Sequence, residues 1–112
     1  VQLIEHTGGS IHEIDIDDSN GFMYMNTYID AANGTGNIRL PKVADNEGRM
    51  LRFKSDDTIG ANKNYRITLF PDEQTAGVRI DGNTSFAMDR SYDGIAVLCY
   101  DGQWYVIQRK SK

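Results

Sequence analysis

The chain has 112 residues, of which 39% are hydrophobic and 25% are charged, with eleven glycines and only two prolines. This length suits one domain with a single modest core, and no apolar run approaches the ~20 residues that a membrane-spanning helix needs. The net charge of −4 argues against nucleic acid as the main partner, because phosphate binding requires a basic surface. Cys99 is the only cysteine, which excludes an intrachain disulfide and a cysteine-based zinc site.

Apolar and polar residues alternate with a period of two along most of the chain, which predicts strands. No stretch keeps a helical period over three turns, so only a single helical turn is expected, around 43–46 in the connection 41–48. The run 95–100 is apolar throughout, which predicts a central strand covered on both faces, with Cys99 as a small core residue. The strands are predicted at 1–5, 10–16, 22–29, 37–40, 51–54, 65–70, 77–80, 95–100 and 104–109.

Pairs of residues that tolerate positive φ separate these runs and predict tight turns. Asp101-Gly102 joins two strongly patterned strands and predicts a type I′ hairpin, and Gly8-Gly9 predicts another hairpin between the first two strands. Further turns are expected at Asn20-Gly21, Asn33-Gly34, Asp81-Gly82 and Asp93-Gly94.

About eight to ten short strands with regular turn signals predict an all-β fold, a small antiparallel β-sandwich or jelly roll. Residues 1–35 are expected to form N-terminal strands or an arm within the same domain as residues 36–112.

Two features invite a search for metal ligands. The stretch Asp15–Gly21 is acidic, but an EF-hand loop would need glycine where Asn20 lies and glutamate where Asn26 lies, so a polar turn is the favoured interpretation. His6 and His12 are the only histidines. A two-residue turn at Gly8-Gly9 would place His12 opposite Glu5 and keep the imidazoles apart, which favours surface or interface histidines over a metal site.

No catalytic motif is present, so we expect a protein that is not an enzyme and has no cofactor. No serine lies in a Gly-x-Ser-x-Gly elbow. A glycosidase or nucleotide hydrolase would need ionisable groups that converge in a pocket. The carboxylates instead lie beside turn signals, at Asp56, Asp57, Asp72, Glu73, Asp89 and Asp93.

Aromatic and basic side chains form the remaining cluster of interest. Tyrosine and tryptophan rings can stack on a sugar, and cations on the outer face of a strand can contact a partner. The candidate interaction surface consists of Trp104, Tyr105, Arg52 and Lys54.

The second half of the chain carries six short elements in a distinctive order. They are GNIRLP at 36–41, GRMLRFK at 48–54, NYRITL at 64–69, IDG at 80–82, SYDGIAVL at 91–98 and YDGQWYVI at 100–107. This order resembles a β-sandwich module found in tailed-bacteriophage fibre, tail-tip and head-decoration proteins. The resemblance covers about 36–107.

The resemblance implies a virion protein, made in the cytoplasm of a bacterial host and displayed on the particle, often as a homotrimer. A capsid decoration or cement protein that packs against the major capsid protein is the first expectation. The alternative is a tail-fibre or baseplate module that binds a host glycan. The family brings no cofactor and no catalytic residues, and neither nucleic acid nor membrane is an expected partner.

Overall fold

A computed structural model describes residues 2–6, 11–13, 23–28, 35–58, 66–72 and 76–110. These residues confirm the all-β class and the expected number of strands, with a single 3₁₀ turn at Val43–Asp45 where a helical turn was predicted. The strands are β1 Gln2–His6, β2 Ile11–Glu13, β3 Met23–Tyr28, β4 Thr35–Leu40, β5 Met50–Ser55, β6 Arg66–Pro71, β7 Phe86–Met88, β8 Gly94–Tyr100 and β9 Gln103–Lys110.

The strands form two mixed sheets, a five-stranded sheet in the order β1-β3-β5-β8-β9 and a four-stranded sheet in the order β2-β4-β6-β7. The first six strands alternate between the sheets, so the chain returns to each sheet running in the same direction. Gln2 pairs with Tyr24 and Met23 pairs with Arg52. The first return to the five-stranded sheet therefore takes 22 residues and the second takes 29. The N-terminal half is therefore a parallel winding across the two sheets.

This winding corrects two predictions. Purely antiparallel pairing was expected, but β1, β3 and β5 are parallel neighbours, and so are β2, β4 and β6. A hairpin at Gly8-Gly9 was also expected, but β1 and β2 belong to different sheets. The glycine pair predicts that the chain changes direction; it does not reveal whether the next strand joins the same sheet or the facing one.

The later strands pair in the antiparallel way that the sequence predicts. Asp101 and Gly102 have φ of 50° and 72° between the paired residues Tyr100 and Gln103, which confirms the type I′ hairpin. Asp81 and Gly82 also have positive φ and form a predicted tight turn, closed by mutual backbone hydrogen bonds of 2.8 Å between Ile80 and Asn83.

Two strand assignments and one turn are corrected. The segment 77–80 makes only isolated bridges through Ile80, whereas β7 at Phe86–Met88 was missed because three residues are too short to show a period. Near Asp93-Gly94 the positive φ belongs to Tyr92, at 56°. The predicted turns at Asn20-Gly21 and Asn33-Gly34 lie outside the described residues.

The core lies between the two sheets and is built from the inward residues of both. Tyr24 and Phe53 stack at 5.2 Å between ring centroids, and Cys99 is fully buried as predicted. The buried members of the core are Ile4, Tyr24, Ile38, Leu40, Leu51, Phe53, Ile67, Leu69, Val78, Ile80, Met88, Ile95, Val97, Cys99 and Trp104.

Strand β8 is a central strand, flanked by β5 and β9, and its first half is covered on both faces as the apolar run predicted. Ala96 faces away from the core yet is only 1% exposed. Its neighbours in register are Arg52 and Gln108, whose side chains hydrogen-bond at 2.9 Å. A small residue is therefore buried beneath two longer polar ones.

Candidate functional site

Trp104 does not belong to the surface on which the sequence placed it. It is 0% exposed and pairs with Cys99 on the core side of the five-stranded sheet. Its neighbour Tyr105 points outward and is 40% exposed. Neighbouring residues of β9 therefore alternate between the two faces here, and placing Trp104 on the same surface as Tyr105 was wrong.

The other three candidate residues, Tyr105, Arg52 and Lys54, lie together on the side of the five-stranded sheet that faces away from the core. We call this side the outer face. Register fixes its composition, because residues directly opposite on neighbouring strands share a face. Across β5, β8 and β9 its rows are Met50–Leu98–Tyr105, then Arg52–Ala96–Gln108, then Lys54–Gly94–Lys110. On β3, Met23 and Met25 continue the rows of Arg52 and Lys54.

One end of the outer face is apolar. Met50, Leu98, Tyr100 and Tyr105 form an aromatic patch in which Tyr100 is 62% exposed and its ring lies 6.3 Å from that of Tyr105. Large exposed apolar side chains gathered on one sheet face are typical of a protein-contact surface.

The other end of the outer face is a cationic trough defined by Arg52, Lys54, Gly94, Gln108 and Lys110, with Met23 of β3 also lining it. Gly94 has no side chain and forms its floor, and the longer side chains of β3, β5 and β9 form its walls. The depression at this position has a volume of about 240 Å³, and none of its described lining residues carries a carboxylate. It is therefore a positive site on a protein whose net charge is negative.

Hydrogen bonds hold two of these walls in place. Arg52 Nη1 donates to Gln108 Oε1 at 2.9 Å, and Lys54 Nζ donates to the carbonyl oxygen of Tyr92. The stem of Lys54 lies over Gly94, where a Cβ would come within 3.3 Å of Lys54 Cδ. A larger residue at this position would make a tight contact with the Lys54 stem.

A β-bulge brings Lys110 into the trough. Val97 pairs with Val106 but Ala96 pairs with Gln108, so Ile107 is the extra residue of β9. Beyond it the faces exchange: Gln108 lies outside with Tyr105, and Arg109 turns toward the core side. The sequence alternation, continued without interruption through 104–109, had placed both residues on the opposite faces.

Arg109 gathers two of the carboxylates that were considered as catalytic candidates. Its guanidinium makes two hydrogen bonds to the buried carboxylate of Asp93, at 2.7 and 3.2 Å, and one to Asp89 at 3.1 Å. The hydrogen bond to Asp93 raises the pKa of Arg109, and the charges of both carboxylates add to the effect. The guanidinium also lies 4.9 Å from the ring centroid of Phe86. This geometry links the end of β9 to the turn before β8.

The other carboxylates are distributed over separate turns. Asp56 accepts hydrogen bonds from the backbone and hydroxyl of Thr58. Burial opposes its ionisation, but the hydrogen bonds to Thr27 and Thr58 outweigh burial and lower the pKa of Asp56. Asp72 lies 3.7 Å from Arg39, Asp57 is exposed, and Glu73 lies outside the described residues.

The histidine prediction is wrong for His6, which is 1% exposed. Its Nε2 lies 2.8 Å from Oδ1 of the buried Asn26, so the ring is a satisfied core group. The proposed pairing of His12 with Glu5 fails because β1 and β2 lie in different sheets. The side chain of His12 lies outside the described residues, as does the acidic stretch 15–21.

Within the described ranges, no group of three or more histidine, cysteine, aspartate or glutamate side chains has a metal-binding arrangement. The same residues contain no helix with the length and apolarity to cross a bilayer.

No protein-family model matches this chain, and no curated protein sequence matches it. The outer face is therefore interpreted from its own chemistry.

Three residues of the outer face were predicted from the sequence, and the others were missed. Arg52, Lys54 and Tyr105 were named, whereas Gly94, Gln108 and Lys110 were not. The signal for the trough is Gly94, at the start of a strand otherwise rich in large apolar residues. A residue without a side chain leaves a depression on one face of a sheet.

Proposed function

We propose that this protein is a structural component of a bacteriophage virion, a capsid decoration protein that stabilises the head by packing against coat subunits. The observation that carries the proposal is the aromatic patch on the outer face. Exposed tyrosine and methionine side chains on a rigid sheet offer a partner large apolar contacts at low entropic cost. The carboxylates of Asp56, Asp89 and Asp93 are engaged in a turn and in the Arg109 cluster instead of converging in one pocket, which favours a binding role over a catalytic one.

The sequence resemblance supports the same role. Its six elements fall on β4, β5, β6, the turn at Asp81-Gly82, β8 and the hairpin to β9. These elements belong to both sheets and build much of the sandwich, so the likeness covers the framework of the fold.

Assembly as a homotrimer on the particle surface is part of the proposal. The sheets end in the strands β1, β9, β2 and β7. The segment 79–81 covers the outer edge of β9 at Trp104, whereas the outer edges of β1, β2 and β7 have no partner among the described strands. Symmetric association can cover such edges and the aromatic patch together.

The alternative, a tail-fibre or baseplate module that binds a host glycan, relied on Trp104 as the stacking residue. A fully buried indole cannot stack on a sugar, so the decoration role is the one we retain.

Particle stability tests this role. Removing the protein from purified virions should lower the temperature of DNA release, and adding back the wild-type protein should restore it. Tyr105→Glu places a charge in the aromatic patch and should fail to restore it, whereas Thr68→Glu, on the four-stranded sheet, should restore it as wild type does. Stripped particles that keep their full heat stability would refute the cement role.

A further inference from the structure

The cationic trough has a chemistry that the packing role does not require. Arg52, Lys54 and Lys110 surround a floor at Gly94, and no ion pair joins these cations to a carboxylate of the described residues. A decoration protein could pack on the aromatic patch alone. Three cations around one depression on an acidic protein instead indicate an anionic ligand.

We propose that the trough binds an extended, acidic polypeptide segment of a partner protein, with carboxylates on alternate residues facing Arg52 and Lys54, and with Lys110, across Gly94 from Lys54, adding positive charge beside the second carboxylate. The inference names the partner chemistry of the outer face and rests on the proposed role of that face as the contact surface. It does not depend on the identity of the particle.

The spacing of the cations favours a peptide over other anions. Arg52 and Lys54 are alternate residues of one strand, so their Cα atoms are separated by about 6.5–7 Å. Alternate side chains of an extended peptide have the same separation, because both repeats come from the same backbone geometry. Two successive carboxylates of such a segment can therefore meet two successive cations without strain in either chain.

Intramolecular hydrogen bonds hold two cations of the trough in position without a ligand. The bond from Arg52 Nη1 to Gln108 uses one donor of the guanidinium and leaves others for a carboxylate. The Lys54 ammonium is held by the Tyr92 carbonyl over Gly94. Cations fixed in this way lose less conformational entropy when a ligand binds.

The test uses the purified full chain and a labelled peptide in which aspartate alternates with serine. Fluorescence anisotropy at low salt should show binding that weakens as salt increases, since exposed charges are screened. Arg52→Glu and Lys110→Glu should each weaken binding about five- to tenfold, because each replaces an exposed attraction by a repulsion. Arg66→Glu makes the same change of charge at an exposed residue of the four-stranded sheet and should change the affinity by less than about twofold.

A second peptide of the same composition, with its aspartates contiguous, should bind more weakly because only alternate positions match the spacing. Chemical shift changes at the Gly94 backbone amide and the Gln108 side-chain amide should locate the peptide in the trough. Spectra of the free variants establish that each one is folded.

Three outcomes would overturn the inference: no binding of the alternating peptide, equal weakening by Arg66→Glu, or tighter binding of a sulfated oligosaccharide in the trough. The first two would exclude the site, and the third would replace the peptide with an anionic glycan. The particle heat-stability experiment is independent of all three, so loss of one proposal leaves the other separately tested.

Discussion

Cys99 and Trp104 are paired residues of β8 and β9, and both are fully withdrawn from water. Burial raises the pKa of the Cys99 thiol to about 11, from an ordinary value of 9.0, and the nearby charge of Glu47 adds to the shift. A buried thiol with a raised pKa is a poor nucleophile, because the thiolate is the reactive form. Cys99 is therefore a buried core residue with an unreactive thiol.

The raised pKa predicts a pH-dependent contribution to stability. The unfolded thiol ionises above about pH 9 and the folded thiol only near pH 11, so the contribution is complete below pH 9 and is lost as the pH rises through 11. The free energy of unfolding of the wild type, relative to Cys99→Ala, should fall by about 2–3 kcal/mol over this interval. Urea denaturation of both proteins with reductant present measures the difference, and a difference that stays constant with pH would contradict the assignment.

The inward turn of Arg109 shows why single residues were hard to place from the sequence. Two-residue periodicity predicts a face correctly until one extra residue enters the strand, and the bulge at Ile107 exchanges the faces of everything after it. No local pattern in 104–110 marks the bulge. It is explained by the ion pair with Asp93, whose side chain is 0% exposed and needs a cation on the core side.

At the scale of elements, one close contact joins the two sheets. Gly36 on β4 faces the ring of His6 on β1, and a Cβ at Gly36 would lie 2.7 Å from His6 Cγ. The φ of Gly36 lies outside the left-handed region, so glycine is required here by space rather than by backbone conformation. The hydrogen bond to Asn26 keeps the ring from moving aside.

Gly36→Ala should therefore lower the free energy of unfolding by about 1–3 kcal/mol, the usual cost of overpacking a core. In a His6→Ala background the added methyl meets no ring, so the same change should cost little or be favourable. Chemical denaturation of the four proteins in this cycle measures the coupling. An equal cost in both backgrounds would show that the clash with His6 is not the cause.

The elements themselves were largely predictable, because strand periodicity and Asp-Gly turns are local signals. The hairpin at Asp101-Gly102 was recognisable from two residues and their flanking strands. The partners of β1, β2, β3 and β4 were not predictable, since alternation is identical for parallel and antiparallel neighbours. For the same reason the burial of His6 was not predicted, because the place of its side chain in the core depends on which sheet β1 joins.

At the scale of the whole molecule, the parallel winding of β1 to β6 and the antiparallel pairs of β7 to β9 place three distant stretches side by side on the outer face. The trough draws on Arg52 and Lys54 from β5, Gly94 from β8, and Gln108 and Lys110 from β9. A surface assembled from such separated stretches depends on tertiary register, which explains why the sequence indicated its parts but not its form.

The central claim is that the outer face of the five-stranded sheet is the surface by which this protein holds its neighbours. Cryo-electron microscopy of virions that carry the protein, at a resolution that separates strands, tests it most directly. We predict that Met50, Tyr100 and Tyr105 are covered by a neighbouring subunit, with an acidic strand-like segment lying along Arg52 and Lys54. An outer face open to solvent, with contacts made by the four-stranded sheet instead, would contradict it.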